Sequence, residues 1–235
     1  MLIRKLRCGQ LRRLRVREPE TGVDPTPDKQ LSGPPARKRN EIKELKRLAV
    51  VTGILALAAP LALAQTSTWT SDPAHSEVDF SIKHLSVSNV HGRFGHVSAT
   101  IIYNDADITK SSVNATIDVT GVDTGEEARN NHLKTPDFFD VATYANATFT
   151  STSVAKTATG LTVNGNLTLH GVTKPVVLTV DGPTAPAQGM DHKPHVGFEA
   201  TTTIKRTDFG IGTKFPDAIL SDAVKLTIEL DVAKQ

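Results

Sequence analysis

Eight histidines are the residues of this chain best equipped for chemistry, and their spacing decides which chemistry is open to them. His84, His91 and His96 crowd one stretch, with Gly92 and Gly95 beside them. His192 and His195 lie together in a Pro/Gly-rich segment, and His75, His132 and His170 stand at turns or segment ends. A zinc centre needs three or four converging ligands, in its helical form as H-E-x-x-H, and neither His91 with His96 nor His192 with His195 has that arrangement or an evident carboxylate partner. Nucleophilic catalysis has no G-x-S-x-G elbow to use. The one cysteine, Cys8, precedes the foldable part of the chain. The acids stand singly along polar faces, and a carboxylate pair for glycoside chemistry is a matter of three-dimensional separation that spacing leaves open. Asn-x-Thr triplets begin at Asn114, Asn146 and Asn166, but in Thr-rich strands such triplets arise by chance. The expectation is no catalytic residue, no metal and no cofactor. The alternative kept is a metal-dependent hydrolase or other enzyme using His84, His91 and His132.

These histidines have to be positioned by strands. Val78, Phe80 and Ile82 alternate with Glu77, Asp79, Ser81 and Lys83, a period of two that gives one apolar and one polar face. The glycines and His91 and His96 that follow read as a turn. The same alternation recurs over 97–103, 112–120, 147–154, 160–170, 174–180, 195–206 and 223–233, with Gly, Pro or Asn-Asp between. Residues 126–134, EEARNNHLK, break the rhythm with helix formers, an acidic start and a stop before Pro136. The paired aromatics Phe138 and Phe139 come next, in a connection expected to fold over the end of the sheet. This makes an all-β chain of about eight antiparallel strands with one short helix between the third and fourth. Strands in that number close as a barrel or stack as a sandwich.

Residues 48–63, LAVVTGILALAAPLAL, follow Lys43, Lys46 and Arg47 and lead into Ala62-Leu63-Ala64, the layout of an export signal cleaved after Ala64. A membrane anchor is the competing reading, but the run is shorter than the ~20 residues a span needs, and Pro60 interrupts it. Residues 1–47, which include the basic n-region, are expected to form no core and reflect either an upstream start or a basic arm. Residues 65–235 are the domain. The first 64 residues hold 14 of the chain's 27 Lys+Arg and 6 of its 25 Asp+Glu, so the remainder carries −6. A phosphate-binding surface loses its support, and no nucleic-acid partner is expected. Without cysteine the domain must stand on its core alone.

On the apolar parity, Ala99, Ala115, Gly165, Ala200 and Thr202 interrupt the large side chains. A close-packed interior favours bulk there. Small residues on a closed sheet therefore suggest a retained apolar cavity suited to an apolar ligand, while in a sandwich they would face bulky partners instead.

Several motifs, taken in order, resemble the YceI-like family. They are Asp72-Pro73-Ala74-His75-Ser76 with Val78-Asp79-Phe80 and Lys83-His84-Leu85, then Gly92-Arg93-Phe94, then Arg129 with His132-Leu133-Lys134. Asp137-Phe138-Phe139-Asp140, the run from Gly165 to Pro175 and Arg206-x-Asp208-Phe209-Gly210 complete the series. One departure is Ala145, where the family usually has proline after the tyrosine. The resemblance implies a lipocalin-like barrel in the periplasm, with a pocket for polyisoprenoid or similar long-chain lipids and no established enzymatic activity. It also makes a homodimer and a transient membrane contact admissible partners. Parity nominates Phe80, Ile82, Ile101, Ile117, Leu167, Phe198 and Ile204 as lipid-binding lining. Phe138, Phe139 and Phe209 are nominated at the mouth.

Overall fold

In the computed structural model the described residues are 65–235. The expected basic extension and export signal lie outside them. Ten strands form one antiparallel sheet: β1 Thr66–Ser71, β2 Glu77–His84, β3 Ser88–Asn104, β4 Ser112–Asp123, β5 Asn146–Lys156, β6 Leu161–Leu169, β7 Val172–Asp181, β8 Ala187–Gln188, β9 Pro194–Lys205 and β10 Leu220–Lys234. Pairing of β9 with β10, from Ala223–Lys205 to Ala233–His195, closes the sheet on itself. The ring runs β10-β2-β3-β4-β5-β6-β7-β9, an eight-stranded barrel rather than a sandwich. Closure removes the unpaired edges that an open sheet would expose.

β1 carries no apolar alternation, and the sequence predicts no strand there. It pairs with β3 (Thr66–Asn104 to Thr70–Thr100) and with β10 (Trp69–Lys234 to Ser71–Val232). β2 occupies the same place between those two strands further along. β1 and β2 are thus one interrupted strand. The excursion at 72–76 is pinned where the Asp72 amide donates to the Asp231 carbonyl at 2.8 Å.

β3 is the main correction to the sequence reading. It starts at Ser88, so His91, Gly92 and Gly95 lie within a strand and do not form a turn. The turn is at Leu85 and Ser86, with φ of 52° and 57°. Three residues, Leu85 to Val87, link the paired His84 and Ser88; left-handed φ values normally favour Asn or Gly, and here neither is present. β3 shifts register on both sides of Gly95, and His96 there has φ 41°, a bulge that bends the strand.

One end of the barrel is covered by α1, Glu127–Leu133, which falls between the third and fourth ring strands as expected. Residues 134–145 and 206–219 complete this cover. Phe94 meets Phe139 edge-on at 5.4 Å, and Phe138 stacks on Phe215 at 5.2 Å. Arg206 holds the second segment in place: its Nε donates to Ser221 O, Nη1 to the carbonyls of Ile211 and Gly212, and Nη2 to those of Phe215 and Leu220. All five guanidinium donors are used on backbone acceptors, so a 3 % exposed cation is tolerated. At the opposite end Trp69, Ile101, Val196 and Val232 form a separate small core.

Candidate functional site

Inward-facing side chains do not fill the barrel. They surround a cavity of about 470 Å³ that runs from Tyr103, Ser111 and Ser112 near one end to Arg129, His132 and Phe138 under the cover at the other. That volume falls within the range of small-molecule sites. Several inward residues on this wall, Ile82, Val176, Leu178, Phe198, Leu226 and Ile228, are only half-buried, because they face open space rather than a packing partner.

Of the residues nominated by parity, Phe80, Ile82, Ile101, Ile117, Leu167, Phe198 and Ile204 all line the cavity. Phe138 and Phe139 line it too, at the covered end, where both are 8 % exposed. Phe209 does not. It belongs to the 3-10 turn Arg206–Phe209, is 1 % exposed and is packed in the core, so it is no mouth residue. Phe209 is nominated as an aromatic beyond the end of β9, where no alternation tells a buried ring from one at the mouth.

The small residues divide into two groups. Ala115, Ala200 and Thr202 line the cavity as expected. Gly165 instead makes room for the Phe149 ring, since a Cβ there would overlap it, and Ala99 is 1 % exposed and away from the cavity. Sequence reasoning missed Val176 and Leu178, which alternate along β7 and were legible by the same parity. Arg206 stands in the sequence only as a motif residue, and no periodicity signals its place on the cavity.

His84, His91 and His132 do not converge. His84 and His132 border the cavity, whereas His91 lies on β3, exposed and outside the lining, paired with Ser81. His132 meets the ring of Phe138 edge-on at 5.0 Å, and its Nε2 is 3.7 Å from Asp137 Oδ2. The Lys214 ammonium, 2.5 Å from the other carboxylate oxygen, is the main cause that holds Asp137 below the usual carboxylate range. Among the described residues, the ligand atoms near enough to share an ion belong to Asp72, His75 and Asp231, at the β1 end. There His195 is set between Asp231 (2.6 Å) and Asp191 (3.1 Å), which raise its pKa, Asp231 foremost.

Comparisons with known proteins agree with this architecture. The YceI-like domain family model matches residues 69–232. Protein YceI of Salmonella newport is 39% identical over 165 residues, 68% of this chain and 83% of that protein. UPF0312 protein YE1254 of Yersinia enterocolitica is 35% identical over 188 residues, 78% of this chain and 94% of its own length. Burkholderia cenocepacia BcnA superposes with a TM-score of 0.59 at 30% identity, covering 68% of this chain and 98% of that one. A polyisoprenoid binding domain from Saccharophagus degradans shares the fold at a TM-score of 0.53 and 21% identity, over 73% of this chain and 100% of that one. With its closed antiparallel barrel and the family model matched over most of its length, the chain belongs to the YceI-like family.

Proposed function

We propose that this protein is a binding protein, not an enzyme, that sequesters or carries a long-chain isoprenoid or similar amphiphilic lipid in the barrel. The observation that carries the reading is the cavity itself: continuous along the barrel and lined almost wholly by aliphatic and phenyl groups. Burying ten carbons of a chain there would contribute roughly 8 kcal/mol before association costs. The Saccharophagus degradans domain of the same fold, described as polyisoprenoid binding, supports this ligand class.

The site of action in this proposal is the periplasm, reached by cleavage after Ala64. Peptide mapping of the exported protein should find Gln65 as the first residue, and a mature N-terminus upstream of Leu48 would refute the cleavage. Leu85, Val87 and Ile219 are exposed by 52%, 85% and 41%, and Ile219 also borders the cavity, which supports transient contact with a membrane. The binding test is displacement of a neutral fluorescent apolar probe by prenols and alkanols of increasing length. Displacement should strengthen with chain length. A chain that takes up neither probe nor lipid would overturn the proposal.

A further inference from the structure

The β1 end carries a second gathering of chemistry-bearing side chains. Asp72 and His75 lie in the excursion between β1 and β2, Asp231 on β10, His195 on β9 and Asp191 just before β9. Leu230 lines the cavity, so Asp231, the next residue of the strand, belongs to the outer face. One ligand atom each from Asp72, His75 and Asp231 lies within 4.8 Å of the other two. We propose that Asp72, His75 and Asp231 bind one divalent first-row transition cation, zinc fitting the donor set best, with His195 as the outer partner that orients Asp231. The expectation of no metal follows from spacing along the chain, which gives no sign that Asp231 stands beside His75. The site is separate from the barrel interior, and the proposal is independent of what the cavity takes.

An imidazole nitrogen beside carboxylate oxygens suits zinc better than calcium or magnesium, which take oxygen ligands. Zinc–ligand bonds of about 2.0–2.1 Å around a tetrahedron set the ligand atoms about 3.3 Å apart. His75 Nδ1 and Asp72 Oδ2 are already 2.9 Å apart, and the ion would take the place of the proton shared between them. His75, with 70% of its side chain exposed, is free to make the remaining adjustment. Asp72 is held instead. Its Oδ1 accepts from the Ala74 amide at 2.8 Å, and its own amide donates to Asp231 O at 2.8 Å. Ser76 Oγ donates to the same carbonyl at 3.2 Å, so the excursion is tied to β10 on both sides of His75. His195 Nδ1 is 2.6 Å from Asp231 Oδ1, and its Nε2 is 3.1 Å from Asp191 Oδ1. That chain of contacts fixes the Asp231 carboxylate as outer-shell partners fix metal ligands. Three protein ligands leave a fourth tetrahedral position open.

The surroundings carry an excess of negative charge that favours a cation. His75 and Asp231 border a groove of about 430 Å³ shared with Asp181, Thr184, Glu199 and Glu229, and no lysine or arginine lines it. Glu77, Glu229, Glu199 and Asp181 follow one another in register across β2, β10, β9 and β7, so each carboxylate stands opposite another. Like charges placed directly opposite each other are destabilising. Desolvation first, and then repulsion from Glu199 and Glu77, pushes the Glu229 carboxyl above the usual carboxylate range. Among the described residues this row has one ion-pair partner, Arg93, 3.9 Å from Glu77. A divalent ion on Asp231, two residues along β10 from Glu229, offsets that repulsion at the rim of the groove.

The test is zinc titration of the full-length protein, stripped with a chelator and kept reduced, followed by calorimetry and by thermal unfolding. One equivalent of zinc should bind and raise Tm, because only the folded chain brings these three residues together. His75→Ala should weaken binding at least about tenfold and remove the rise in Tm, and His195→Gln should weaken it about tenfold. His91→Ala, exposed on β3, is the control and should bind zinc as the wild type does. Cobalt in place of zinc should give the weak visible bands of nitrogen and oxygen ligation. A strong thiolate band in the near ultraviolet would place the ion on Cys8 and overturn the proposal. So would zinc that leaves Tm unmoved, or binding lost in His132→Ala and kept in His75→Ala. Calcium binding as tightly as zinc would mean that the acidic row holds the ion without the imidazole, and would also overturn it.

Discussion

The phenyl ring of Phe80 lies over the backbone of Gly92, its cross-strand partner between β2 and β3, in the space a side chain at that position would fill. Phe80 is thereby laid along the barrel wall, 5.3 Å from Phe94, instead of standing across the cavity. Gly92→Ala should push the ring inward, with an overpacking cost of about 1–3 kcal/mol. The expected outcome is a lowered unfolding midpoint in denaturant and weaker uptake of long chains. An unchanged midpoint and uptake would show that the ring has another place to go.

Leu178 is half-buried on β7 and faces the cavity. Leu178→Trp adds bulk where no partner side chain stands, so the barrel should remain folded while probe uptake falls at least about tenfold. Thr148→Arg, on the exposed face of β5, is the control and should leave uptake unaltered. Circular dichroism and probe titration on both variants separate lost space from lost fold.

How much of this could be read from the residues follows from where period-two counting applies. Phe80, Ile117, Leu167 and Ile204 sit in regular strands, and their inward direction follows from alternation. Phe209 sits in a 3-10 turn, where alternation has no meaning. Composition makes β3 look shorter than it is, because His91, Gly92 and Gly95 resemble a turn while the turn at Leu85 and Ser86 contains neither Gly nor Asn. Gly92 and Gly165 are glycines within strands because phenyl rings occupy the space a side chain would take, a tertiary relationship that no local pattern carries. The open cavity depends on the number of ring strands and on which side chains meet across them. Small residues were an incomplete guide to it, since Phe149 fills the space left at Gly165.

Arg206 organises the cover over the α1 end through five backbone carbonyls. Arg206→Ala leaves buried acceptors without donors and should destabilise by about 3 kcal/mol or more, read from chemical denaturation. Arg206→Lys should recover only a small part, because an ammonium cannot reach acceptors spread around a planar fork. Full recovery with lysine would mean that charge, not geometry, is what this position supplies.

At the β1 end, hydrogen bonds accepted by Asp231 and then Asp191 raise the pKa of His195, and the one accepted by Asp72 raises that of His75. A folded-state value above the unfolded one gives stability that is complete below about pH 6.5 and is lost as pH rises through the raised value. Asp72, lowered first by its bond to His75, and Asp191, lowered first by the Lys193 amide, contribute above about pH 4 and lose it on acidification. The difference in Tm between wild type and His195→Gln should therefore be largest near about pH 5–6 and shrink toward pH 9. Thermal unfolding across that range checks it, and a pH-independent difference would contradict the assignment.

The central claim is that the barrel holds a long apolar chain. Native mass spectrometry of the protein purified without detergent tests it most directly, with solvent extraction of the same sample. The account predicts a complex heavier than the polypeptide by one long-chain lipid, released on denaturation and absent from Leu178→Trp. A bare polypeptide mass that persists after incubation with prenyl and alkyl lipids of every length would contradict it.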